Sequence, residues 1–167
     1  MKSRIKKTDS IIQKNPSFEY KVLASSIIEQ YQDGGHTQFE KMLAIPQSDR
    51  IPALAIQFGY SQIIHLLKKM IREFIAAIPS TEEKIYTDKA IEGYAFDIYL
   101  IACIDFLSLE DIILFFENTK AGKYGQLSPF TPYKLLELLN IYLQERHLAY
   151  IAYKEKVDEK LKMNGPG

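Results

Sequence analysis

The sequence predicts an all-α protein: a single-domain bundle of about six helices with a buried central helix and a long C-terminal helix. Three observations carry this. Apolar residues recur at three- and four-residue steps in segment after segment, the period of a helix buried on one face. Helix-start and helix-stop residues bracket those segments, whereas paired strand-and-turn signals and internal repeats are missing. Finally, Tyr94–Phe116 holds 18 apolar or aromatic residues among 23, interrupted only by Asp97, Asp105, Ser108, Glu110 and Asp111. The remaining helices are expected to pack around that run.

In chain order, residues 1–14 carry Lys2, Arg4, Lys6, Lys7 and Lys14 against Asp9 alone and read as a flexible basic arm. The helical domain is expected over 15–163. Phe18, Val22, Leu23, Ile27 and Tyr31 mark its first amphipathic segment, closed by Asp33-Gly34-Gly35. His36–Ala44 predicts a short helix ended by Ile45-Pro46. Ser48 and Asp49 then offer a cap ahead of Ile51-Pro52, with proline suited to a first turn. After Gly59, the spacing of Ile63, Ile64, Leu67, Met70, Ile71 and Phe74 predicts a helix over Tyr60–Ile78.

Ser80 or Thr81 is the expected cap of the next helix, whose acidic start at Glu82, Glu83 and Asp88 suits the positive end of the helix dipole. Asp88–Phe106 grows apolar on most faces and is expected to be the central helix. Ser108-Leu109-Glu110-Asp111 forms a capping box with Asp in place of Glu or Gln, restarting a helix after Phe106-Leu107. That helix should end at Gly122. Thr131-Pro132 predicts the start of the last and longest helix, with Leu135, Leu138, Leu139, Tyr142, Ala149, Ala152, Tyr153 and Val157 along one stripe. Residues 164–167 read as a disordered terminus.

Composition excludes several function classes. Net charge is zero, yet residues 1–81 hold 11 Lys/Arg against 7 Asp/Glu, 82–117 hold 2 against 9, and 118–167 hold 8 against 5. A dedicated nucleic-acid module would be more basic throughout. Residues 1–14 do not read as a secretory leader, no uninterrupted apolar run reaches membrane-spanning length, and the single cysteine, Cys103, fits a reducing compartment. A cytoplasmic protein without membrane contact is expected.

No catalytic set stands out. His36, His65 and His147 are dispersed, Cys103 has no histidine in a recognisable motif, and neither GxSxG nor a Walker loop occurs. Asp97 and Asp105, two turns apart on an apolar segment, are the candidate carboxylate pair, but a rim position or an ion pair with Lys or Arg is the expected reading. No enzyme, metal or cofactor is expected. The candidate interaction residues are Lys120, Gly122, Lys123, Tyr124 and Gly125 in the turn after the apolar run, with Arg146 and His147 on the last helix. Arg146 could serve as a clamp on the carbonyls of that turn or as part of the contact surface.

The pattern from Leu107 to Glu155 adds a resemblance. LSLEDIILFFENTKAGKYGQL followed by LLELLNIYLQERHLAYIAYKE resembles a family of small helical proteins of phages and mobile elements of Bacteroidetes. Those proteins share an L-x-x-D-x-x-x-F-F segment, a K-x-G-x-x-G turn and a helix with Y-x-x-E-R-H. The matching positions are Asp111, Phe115, Phe116, Lys120, Gly122, Gly125, Tyr142, Glu145, Arg146 and His147, while Leu107 and Leu109 flank the leucine position, where this chain has Ser108. The family's stretch after the turn is more polar than Gln126–Phe130, so no role of those polar groups carries over. The resemblance implies phage or mobile-element provenance, with a place beside DNA replication genes, and implies no activity.

Two readings follow. One is a non-enzymatic helical adaptor or accessory protein that binds another protein. The alternative is nucleic-acid binding through the basic N-terminal arm and the Lys120–Gly125 turn.

Overall fold

The computed structural model describes residues 37–78, 87–127 and 133–165. The basic arm, the helix expected after Ser17, and the expected starts at Ser80, Thr81 and Thr131 lie outside these residues. Within them run six α-helices: α1 (Thr37–Leu43), α2 (Ile51–Phe58), α3 (Tyr60–Ala77), α4 (Asp88–Ile104), α5 (Leu109–Lys120) and α6 (Lys134–Asn164). A 3-10 turn, Gln47–Asp49, joins α1 to α2. There is no strand among the described residues, and the helices pack as one all-α bundle.

Local chemistry explains the boundaries. Pro52 occupies the first turn of α2, as the sequence predicts, but the residue ahead of that helix is Arg50; Ser48 and Asp49 belong to the 3-10 turn. Gly59 ends α2 and starts α3 at φ 96°, a left-handed conformation that a side chain would strain. The α3 stripe is buried as its spacing predicts, from Ile63 to Phe74. At the start of α4 the cap is Thr87, whose hydroxyl accepts a hydrogen bond from the Ala90 N–H at 3.2 Å.

The central helix is α5, not Asp88–Phe106. Nine of the twelve α5 residues are buried, including Leu109 and the unbroken run Ile112–Phe116. By contrast, α4 buries only Ile91, Ala95, Ile98 and Ala102 along one side, against α3 and α2. Around α5 the core aromatics interlock: Phe116 lies 4.9 Å from Phe74, and Phe115 5.8 Å from Tyr142, centroid to centroid. Such contacts add to the area term that dominates core stability.

Helix α6 is 31 residues long, ~46 Å at 1.5 Å per residue. Its first turns bury Leu135, Leu138, Leu139 and Tyr142. From His147 onward no described residue is buried, so the expected stripe is half-buried at Ala149 and Tyr153 and exposed at Ala152 and Val157, although Lys156 reaches Glu40 of α1 at 3.2 Å. Asn164 is the last helical residue, so α6 takes one residue from the tail that composition assigns to the terminus.

Candidate functional site

The outer face of α4 is apolar and exposed. Phe96, Leu100 and Ile104, each four residues after the last, form one ridge and remain 43, 43 and 75% accessible. Tyr60, at the start of α3, extends the patch: its ring lies 6.4 Å from that of Phe96 and 4.9 Å from that of Tyr99. Isolated exposed apolar residues are ordinary, but a contiguous row of them marks a contact surface. Asp97 and Asp105 are both exposed at the edge of this row. The rim position expected for them holds.

At its C-terminal end the row meets a strained corner. Phe106 is the one non-glycine residue with positive φ, 52°, among those described. The Leu107 N–H reaches back to the Ala102 carbonyl at 2.9 Å, closing α4 with the motif that ordinarily places glycine where Phe106 stands. A bulky side chain there costs on the order of 1–2 kcal/mol. Even so, its ring is 48% accessible, so packing recovers only part of that cost.

Arg50 holds the corner in place. Its guanidinium donates to the Phe106 carbonyl at 3.2 Å, to Leu43 at 3.1 Å, and twice to Ile45 at 3.0 and 3.1 Å. The next residue, Ile51, donates its N–H to the Leu107 carbonyl at 2.9 Å. Two consecutive residues thus tie the end of α1 and the start of α2 to the α4–α5 corner. Partial burial, with the nearby charge of Arg146, lowers the Arg50 pKa from its ordinary value. Between this corner and α6 opens a groove of about 400 Å³, lined by Leu43, Gln47, Arg50, Ile104, Asp105, Phe106, Arg146, His147, Tyr150 and Tyr153. Ile104 and Phe106 belong to both the row and the groove, making them one continuous surface.

Behind the groove lies a buried polar cluster centred on Asp111. Its Oδ2 accepts the Ser108 N–H at 2.9 Å and the Ser108 hydroxyl at 3.0 Å, while Ser108 Oγ accepts the Asp111 N–H at 3.1 Å. This is the expected capping box. The other oxygen, Oδ1, accepts the Tyr142 hydroxyl at 2.7 Å and Arg146 Nε at 2.9 Å. Complete burial, reinforced by the Asp111 charge, raises the Tyr142 pKa well above its usual value. With Asp111 enclosed in hydrogen bonds and the hydroxyl of Tyr142 committed to it, the cluster is a structural joint between α5 and α6.

The candidate residues named from sequence divide between two places. The turn folds back on its own chain: the Lys123 N–H reaches the Asn118 carbonyl at 3.0 Å, and Gly122 and Gly125 adopt φ 79° and 108°. Lys120 pairs with Glu117, and Lys123 with Glu145 of α6 at 3.1 Å. The Tyr124 ring faces Phe115, and its hydroxyl accepts from Asn118 at 3.3 Å; burial, opposed by that bond, pushes its pKa up to about 12. Arg146 does not clamp the turn carbonyls. It turns to Asp111, and Lys123–Glu145 holds the turn instead. His147 is exposed and lines the groove beside Arg146.

Comparison with known proteins adds no relative. No family model matches the chain, and neither does a curated protein or a solved structure. The surface must therefore be read from its own chemistry. Sequence reasoning missed Phe96, Leu100, Ile104, Phe106 and Arg50. For the first three a signal existed, since a helix apolar on every face has more apolar surface than one side of packing needs.

Proposed function

We propose that this protein is a non-enzymatic helical adaptor or accessory protein that binds another protein through the outer face of α4 and the adjoining groove. The observation that carries this reading is the exposed ridge Phe96–Leu100–Ile104 running into Phe106. Covering a half-exposed side chain of this kind gains on the order of 1 kcal/mol, so four neighbouring ones form an effective anchor. A fully satisfied buried cluster around Asp111 supports a rigid scaffold behind that anchor. The resemblance to proteins of phages and mobile elements supports a role beside DNA replication.

The alternative, nucleic-acid binding by the basic N-terminal arm and the turn, would require Lys120 and Lys123 to exchange Glu117 and Glu145 for phosphates. Affinity capture from native lysate tests the leading reading. The wild-type chain should retain a stoichiometric protein partner, and Ile104→Asp should lose it with an unchanged circular dichroism spectrum. Recovery of the same proteins by both chains, or of none, would sink the adaptor reading.

A further inference from the structure

We propose that the α4 face receives an amphipathic helix of a partner protein whose flanks carry lysine or arginine, and that Gly93 is the point of closest approach. This rests on the adaptor reading above and specifies its occupant. Phe96, Leu100 and Ile104 form a ridge along the four-residue row of α4. A helix whose own four-residue ridge lies in the furrow beside this one crosses α4 at about −50°.

Gly93 lies on this face, one turn before Phe96 and two before Leu100. Glycine inside a helix costs about 1 kcal/mol relative to alanine. Nothing among the described residues requires it: φ is not positive, and a Cβ there would meet none of their atoms within 4 Å. Its lack of a side chain gives a second backbone room to approach beside the ridge, at the end remote from Phe106.

Charge decides between occupants. Glu92 neighbours Phe96 and Asp97 neighbours Leu100, both exposed, against Lys89 on the same face; Asp105, after Ile104, is exposed too and shares the groove with Arg50 and Arg146, the latter committed to Asp111. A second copy docked by the same face would bring the acidic residues of the two copies together across the symmetry axis. A helix with basic flanks instead meets a complementary potential.

The test uses the full chain and two synthetic helical peptides sharing one apolar face, one flanked by Lys/Arg and the other by Glu. Fluorescence anisotropy should show the basic-flanked peptide binding at least tenfold more tightly than the acidic one. Gly93→Gln should weaken that binding about tenfold while raising the melting temperature of the free protein. Equal binding of the two peptides, no binding of either, or unchanged affinity of Gly93→Gln overturns the proposal. So does a dimer that Ile104→Asp dissolves, or cross-links in the full chain between residues 1–36 and the α4 face. If the peptides fail but Ile104-dependent capture of a native partner succeeds, the occupant is wrong and the adaptor reading stands. If both fail, both fall.

Discussion

The carboxylate of Asp111 and the guanidinium of Arg146, 35 residues apart in sequence, meet at 2.9 Å inside the core. Asp111 is fully enclosed, and the Arg146 side chain is nearly so. Four further contacts, from the Ser108 N–H, the Ser108 hydroxyl, the Tyr142 hydroxyl and Arg146 Nη2, fill the acceptor capacity of the carboxylate. Removing one partner from such a pair leaves an uncompensated buried charge, which costs far more than the pair contributes as a whole. Asp111→Asn is therefore expected to lose about 3–5 kcal/mol of unfolding free energy in urea titration. Ser108→Ala should lose only about 1 kcal/mol, the usual value of a cap. Additivity of Asp111→Leu and Arg146→Met in a double-mutant cycle would show that the two residues do not act as a unit.

Phe106 offers a test in which stability should follow the backbone. A β-branched residue at φ 52° is more strained than phenylalanine, whereas glycine is unstrained there. Phe106→Val is expected to melt below Phe106→Gly, with a gap of about 1 kcal/mol or more. Equal stability of the two variants would mean that packing of the ring, rather than its φ, governs this corner.

The two sides of α4 should respond in opposite ways. Ile98 is fully buried, and Ile98→Ala is expected to cost about 2–5 kcal/mol through lost transfer energy and the cavity left behind. Leu100→Ser, on the exposed ridge, should change stability by no more than about 0.5 kcal/mol and still weaken partner capture. A large loss of stability from Leu100→Ser would place that side chain in the core of the bundle.

Alkaline pH should destabilise the fold. The Tyr124 phenol is raised to about 12 by burial, and that of Tyr142 well above its usual value, whereas both ionise near 10 in an unfolded chain. Between those values the folded state keeps protons that the unfolded state releases. The stability they contribute is complete below about pH 10 and falls as pH climbs toward about 12. Tyr124→Phe is expected to flatten part of this fall in melting temperature. A wild-type curve no steeper than that of the variant across the window would contradict the burial of Tyr124.

The turn tests the alternative reading. Binding of nucleic acid by Lys120 and Lys123 would weaken steeply with salt, because counterions are released on association. With both ammonium groups engaged by Glu117 and Glu145, Lys120→Glu/Lys123→Glu is expected to leave low-salt gel shifts with DNA and RNA unaltered. A salt-sensitive shift lost in that variant would restore the turn as a nucleic-acid site.

What could be read from the chain followed the range of the interaction. The Ser108–Asp111 capping box was legible because its partners are three residues apart, and the α3 stripe because period alone defines a buried face. Arg146 stood out as a candidate, but its partner was misjudged. Packing of α6 against α5 selects Asp111, and sequence spacing holds no information about that choice. Arg50 gave no signal at all, since its acceptors are backbone carbonyls of Leu43, Ile45 and Phe106 that every residue possesses.

The sequence by itself determined the helical class, most helix limits in the described residues, and the break between α4 and α5, all set by local propensity, capping and period. Only the tertiary structure decided which helix is central. Apolar burial is non-directional, so the composition of Tyr94–Phe116 could not say which of its faces would meet its own chain. Packing of α5 among α3 and α6 enclosed that helix and left the ridge of α4 outside. An apolar run that looked like core thus became half core and half contact surface.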